Sequence, residues 1–90
     1  MKANVTMLDG SREKVSLPNP HFTAKPCVNE YTTGISITGL FYARRTGKLY
    51  VQRYSRWDNR RGLTIGYYVD QVTLDEYRHY CKLVDCDPVI

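Results

Sequence analysis

Arginine and tyrosine residues are interleaved in one short segment, and this combination of side chains is suited to binding a partner molecule. Between residues 44 and 61 lie seven cationic side chains and one acid, so this segment carries +6, whereas the whole chain carries only +4. Arginine presents a planar, permanently charged fork to phosphate or carboxylate. Aromatic rings stack on bases or anchor protein interfaces. The candidate binding residues are Arg44, Arg45, Lys48, Tyr50, Arg53, Tyr54, Arg56, Trp57, Arg60 and Arg61.

This pattern predicts a non-enzymatic small binding protein whose basic, Tyr- and Trp-lined β-hairpin engages nucleic acid or a nucleoprotein complex. Positive loops at the two ends of a strand over 48–54 would contact phosphates, and Tyr50 and Tyr54, facing outward between them, would stack on bases. Such a surface favours RNA or single-stranded DNA over base reading in a duplex groove. Trp57 either folds back onto an end of the core or serves as an exposed interface hot spot.

The same surface also fits an acidic protein partner. A short, basic, single-domain chain is the build of many phage or mobile-element inhibitors and adaptors, which bind an acidic surface of a host protein such as a defence complex. In the simplest interpretation, the charged face only maintains solubility. Steep salt dependence of binding would indicate nucleic acid, and a shallow dependence would indicate a protein partner.

Histidine and cysteine give weaker signals for catalysis or metal binding. His21 or His79 could take a 2′-hydroxyl proton in a small ribonuclease, while an arginine holds the scissile phosphate. Small basic ribonuclease toxins usually open with helices and close with the sheet, and this chain has the reverse order. The spacing of Cys27, Cys81 and Cys86 matches no zinc finger or ribbon. The sequence therefore predicts no enzyme, no metal site and no cofactor.

Length and composition predict one domain over residues 1–90. The chain is 42% hydrophobic and 24% charged, which is ordinary for a globular protein. Three cysteines without a C-x-x-C pair are not a disulfide framework. The N-terminal residues lack the apolar core of a secretory signal, and no apolar run is long enough to span a bilayer. These features predict a cytoplasmic protein without a membrane partner.

The first third of the chain predicts a hairpin and a loop. Residues 2–8 and 12–17 flank Asp9-Gly10, a pair typical of a two-residue hairpin turn. Three prolines between residues 18 and 26 indicate an extended loop that cannot form a central strand. A brief strand is predicted near 27–31.

The middle of the chain predicts a three-stranded meander. Alternating apolar and polar residues place strands at 35–42, 48–54 and 63–69. Leu49 and Val51 are expected to face inward. Gly47 suits the positive φ of a tight turn after Arg44-Arg45, and the polar residues 55–62 are typical of a loop.

The C-terminal part changes to helical periodicity. Thr73 and Glu76 form the pattern of a capping box, and apolar residues then recur at helical spacing to predict a helix over 74–84. The fold class expected is α+β: an antiparallel β-sheet of about five strands, made of a β-hairpin and a β-meander, with one C-terminal α-helix packed on it. Exposed edge strands could also pair between two subunits, so the sequence is compatible with a homodimer.

Overall fold

A computed structural model describes residues 2–25, 34–59 and 62–90, with the backbone alone at 34–35, 56–59 and 62–65. It confirms an α+β fold with one C-terminal helix. The elements are β1 Lys2–Thr6, β2 Arg12–Ser16, β3 Phe22–Thr23, β4 Gly34–Ala43, β5 Lys48–Asn59, β6 Gly62–Val72 and α1 Leu74–Leu83. The strand predicted near 27–31 lies outside the described residues.

The described strands form a single mixed sheet of six, in the order β2-β1-β6-β5-β4-β3. The expectation of an antiparallel sheet of about five strands is met in part, because four of the five described strand pairings are antiparallel and one is parallel. Val5 and Thr6 of β1 pair in parallel with Val69 and Asp70 of β6. This pairing joins residues more than sixty positions apart, and local alternation carries no information about such a contact.

The N-terminal hairpin has a three-residue loop instead of the predicted two-residue turn. The Gly10 N–H donates to the Met7 carbonyl at 2.9 Å, and the Met7 N–H donates to the Ser11 carbonyl at 2.7 Å. Gly10 has a φ of +88°. A turn followed by a left-handed glycine is the three-residue alternative to a primed two-residue turn.

The β5–β6 hairpin is longer than its sequence suggests. The two strands pair in continuous register from Leu49↔Val72 to Asn59↔Gly62. The polar loop predicted at 55–62 is therefore wrong over most of its length, because turn-forming residue types occupy paired strand positions there. The β4–β5 turn follows the prediction, with Gly47 at φ +71°.

A bulge in β4 changes which residues share a face. The register with β5 shifts between Ile37 and Gly39. Because one extra residue reverses the alternation, Ile37 packs with the cluster that contains Leu40 and not with Phe41. Simple alternation along 35–42 would place Ile37 on the same face as Phe41, and that expectation is wrong for this reason.

Both faces of the sheet are covered near the β4–β5 turn. On one face, Tyr77 and Cys81 of α1 pack on strand residues in the helix-side cluster. Its buried members are Leu40, Leu49, Val51, Val72, Tyr77 and Cys81. The opposite face carries the hairpin-side cluster, whose buried members are Val5, Leu17, Phe41, Tyr50 and Val69. Consecutive residues of β4 and β5 are therefore buried on opposite sides.

The sheet must curl, because its two edge strands are consecutive in the chain. Residues 17–21 join Ser16 to Phe22, and six Cα steps span at most about 20–22 Å. Five intervals of about 4.8 Å would place the edges of a flat sheet about 24 Å apart. Leu17 is buried in the hairpin-side cluster, so the connection crosses that face and makes it the concave one.

Helix α1 is defined at both ends. The Thr73 hydroxyl accepts from the Glu76 N–H at 3.2 Å, and the Glu76 carboxylate accepts from the Thr73 N–H at 3.1 Å, which confirms the capping box. At the C-terminus, Asp85 has a φ of +55°. The Cys86 N–H donates to the Cys81 carbonyl at 2.9 Å, as in a Schellman motif.

Candidate functional site

Three of the predicted binding residues lie together at the β4–β5 turn. Arg44 and Arg45 belong to the turn and Lys48 begins β5, and all three are exposed. The turn is held by N–H donors of Thr46 and Gly47 to the Ala43 carbonyl. Within the described part of the chain, none of the three cations forms an ion pair. Their charge is available to an anion.

Arg53 lies on the opposite face of β5 and has a partner. Its guanidinium forms an ion pair with the Asp70 carboxylate, and the two side chains are 31% and 23% exposed. The Arg53 Nε is buried and has no hydrogen-bond partner among the residues described. The sequence did not indicate this pairing, because the acid comes from β6. Arg53 therefore adds little positive charge to the face that carries Lys48.

The expectation that Tyr50 faces outward is wrong. Its side chain is 2% exposed in the hairpin-side cluster, between Phe41 and Val69. Burial raises the pKa of its hydroxyl, and the nearby Glu13 carboxylate raises it further. The outer face of β5 is thus not a continuous stripe of charge and rings, because the N-terminal hairpin covers its middle.

The free aromatic surface lies farther along β5 and β6. Tyr54 and Tyr67 are cross-strand partners, and their rings meet edge to face with centroids 5.0 Å apart and planes at 64°. Tyr67 is 57% exposed and Tyr54 is half-buried. Neither belongs to a core cluster. Strand alternation could have placed Tyr67 on this face, but the candidate residues did not include it.

Tyr68 carries the aromatic surface of the opposite face. It is 40% exposed and pairs across the sheet with Arg53. A Cβ on Gly66 would come within 2.8 Å of the Tyr68 hydroxyl oxygen. The Tyr68 ring therefore lies over Gly66, a position that any larger residue would obstruct.

The remaining candidate residues belong to the last part of β5 or follow it in the sequence. Arg56 and Trp57 are in β5, and only their backbone is described. Arg60 and Arg61 are outside the described residues. The two alternatives for Trp57 stay open. By sequence, residues 53–61 carry a net charge of +3.

The two histidines considered for a ribonuclease lie in different environments. The Val89 N–H donates to the Tyr77 hydroxyl at 3.0 Å, and this hydroxyl lies 2.9 Å from His21 Nε2. Burial lowers the pKa of His21, so Nε2 of the neutral ring can accept from Tyr77. His79 is exposed on α1. The buried Tyr77 thus holds both His21 and the backbone of Val89 through its hydroxyl group.

The two described cysteines, Cys81 and Cys86, belong to no group of metal ligands. Among the described residues, no three His, Cys, Asp or Glu side chains are grouped closely enough to hold a metal ion. Cys27 lies outside them. Cys81 is buried in the helix-side cluster, and burial raises the pKa of its thiol, which disfavours the thiolate that metal binding requires.

Comparison with known proteins identifies no relative of this chain. The chain matches no protein-family model, no curated protein and no solved structure. None of the helices in the described ranges is long and apolar enough to cross a membrane. Among the described residues, the two exposed features with binding chemistry are the Tyr54–Tyr67 pair and the cations of the β4–β5 turn.

Proposed function

We propose that this is a non-enzymatic binding protein that engages single-stranded RNA or DNA, free or within a nucleoprotein complex. The contact surface is the distal hairpin, defined as residues 53–59 of β5 and 62–68 of β6. The single observation that carries the proposal is the edge-to-face Tyr54–Tyr67 pair on the part of the sheet that neither core cluster includes.

Exposed rings on a sheet are a suitable platform for unpaired bases. Base–aromatic stacking contributes about 1–3 kcal/mol per base and depends little on sequence, since every base has a π-face. The Tyr54–Tyr67 contact limits the rotamer freedom that each ring would lose on binding. The platform therefore supports stacking without base-specific readout.

The charge of the distal hairpin supports the same ligand. Arg56 stands two residues beyond Tyr54 along β5, and Arg60 and Arg61 follow in sequence. Phosphate contacts by arginine give affinity that depends strongly on salt and little on sequence. Stacking and phosphate contacts together are the usual basis of single-strand binding.

The test is fluorescence anisotropy with labelled oligouridine and oligothymidine. Replacing Tyr54→Ala together with Tyr67→Ala should weaken binding at least about tenfold, since each stacking contact is worth about 1–3 kcal/mol. Tyr68→Ala is the matched control, because it removes the same residue type from the opposite face of β6. Circular dichroism should show that all variants stay folded.

Salt dependence separates nucleic acid from an acidic protein partner. The logarithm of affinity should fall with log salt by about 0.7 per phosphate neutralised, and Arg60→Glu with Arg61→Glu should reduce that slope. Absence of oligonucleotide binding at low salt would overturn the proposal and favour a protein target. Equal loss in the Tyr68→Ala control would show that the Tyr54–Tyr67 face is not the platform.

A further inference from the structure

A second surface with binding chemistry lies at the other end of β5. The end of β2, the following residues 17–19 and the β4–β5 turn enclose an open groove of about 860 Å³. Sites for small molecules usually measure about 300–1,000 Å³. We call this space the turn groove. Lys48 and Tyr54 are separated by about 20 Å along β5, so the groove is distinct from the distal hairpin.

The rim of the turn groove is positively charged. Arg44, Arg45 and Lys48 line it together with one acid, Glu13. All four side chains are exposed, and no ion pair between them is recorded. The rim therefore has two positive charges in excess. A phosphate monoester carries about −1.5 to −2 at pH 7, which matches this excess better than a single carboxylate does.

The wall of the groove also contains the hydroxyl group of Tyr50. Tyr50 is 2% exposed and lines the groove. Its hydroxyl forms no hydrogen bond with the described residues, and it is not one of their fully buried polar atoms that lack a partner. Because burial raises its pKa, the hydroxyl stays protonated near neutral pH and is a donor. It can therefore donate to an acceptor atom of a ligand in the groove.

The rest of the lining is largely apolar. Val15, Leu17, Pro18, Ala43 and the ring of Tyr50 contribute to it. Apolar walls with a few convergent polar groups favour a ligand with an organic body and a charged head. Inorganic phosphate would use the cations alone and leave these walls in contact with water.

From the cavity, the excess charge and the Tyr50 hydroxyl in its wall, we propose that the turn groove binds a phosphate monoester with an aromatic or apolar body. The phosphate lies between Arg44, Arg45 and Lys48, the body lies on the apolar wall, and Tyr50 donates to an acceptor of the ligand. A free nucleotide and the phosphorylated end of a nucleic-acid strand both present this chemistry.

The test is titration of the ¹⁵N-labelled protein with adenosine 5′-monophosphate, followed by NMR. Amide shifts should concentrate at residues 16–19 and 43–50. Adenosine and inorganic phosphate should each bind at least about tenfold more weakly. A 5′-phosphorylated oligonucleotide that shifts the groove amides, when its unphosphorylated form does not, would identify a strand end as the source. If only the mononucleotide shifts the groove amides, the ligand of the turn groove is a free nucleotide.

Tyr50→Phe is the decisive variant, because it keeps the buried ring and removes only the hydroxyl. Its thermal stability should stay close to that of the wild type, since the hydroxyl has no hydrogen-bond partner among the described residues, and its affinity for the nucleotide should fall about tenfold. Arg45→Gln should weaken binding similarly. The variant with Tyr54→Ala and Tyr67→Ala should bind the nucleotide as the wild type does, whatever becomes of single-strand binding. Unshifted groove amides at 10 mM nucleotide, or unchanged affinity of Tyr50→Phe, would overturn the proposal.

Discussion

At the scale of single residues, Tyr77 has the most consequential contacts in the described structure. Its ring is fully buried, its hydroxyl lies 2.9 Å from His21 Nε2, and it accepts from the Val89 N–H at 3.0 Å. One hydroxyl thus connects α1, the residue before β3 and the C-terminal residues. Helical periodicity over 74–84 indicates an apolar face for α1, but the polar partners of Tyr77 come from distant parts of the chain.

Tyr77→Phe should destabilise the protein by about 1–2 kcal/mol, because it leaves His21 Nε2 and the Val89 N–H without their partner. Urea unfolding would measure the loss, and faster hydrogen exchange at Val89 would show its location. Tyr67→Phe is the control, since its exposed hydroxyl should change stability by less than about 0.5 kcal/mol. Equal stability of the two variants would contradict a structural role for the Tyr77 hydroxyl.

At the scale of elements, the ends of α1 were predictable and the ends of β5 and β6 were not. A capping box involves residues three positions apart, so Thr73 and Glu76 carry the signal locally. The end of β5 depends on pairing with β6 across the hairpin, which continues to Asn59 opposite Gly62. Strand pairing can override the turn preference of polar residues because tertiary contacts outweigh weak propensities.

Thr73→Ala should destabilise the protein by about 1 kcal/mol, because the Glu76 N–H loses its acceptor at the first turn of α1. Chemical unfolding followed by circular dichroism would measure the change. Thr73→Ser keeps the hydroxyl and should retain most of the stability. A loss in Thr73→Ser as large as that in Thr73→Ala would show that the cap is not the source of the effect.

At the scale of the whole molecule, the connection from β2 to β3 sets the curvature of the sheet. Leu17 is 4% exposed on the concave face, where it packs with the hairpin-side cluster. This connection lines the turn groove, and together with the N-terminal hairpin it covers the middle of β5. The same curvature leaves the Tyr54–Tyr67 pair outside both core clusters of the described residues.

Leu17→Ala should destabilise the protein by about 2–4 kcal/mol, as expected for truncation of a buried leucine. That is a large part of the 5–15 kcal/mol typical of a folded domain. Unfolding in urea would measure it, and Leu83→Ala, at a side chain that is 62% exposed, should change stability little. A loss below about 1 kcal/mol in Leu17→Ala would show that this residue does not hold the curl.

The sequence by itself determined the α+β class, the C-terminal helix with its capping box, the β4–β5 turn and the approximate positions of the main strands, because these depend on residues within a few positions of one another. It also located the excess of positive charge. Only the tertiary structure decided that β1 pairs in parallel with β6, that Tyr50 is buried and that Arg53 is paired with Asp70. Each of these depends on what the opposite face of a strand meets, and in a curled sheet covered on both sides alternation alone does not distinguish an inner face from an outer one.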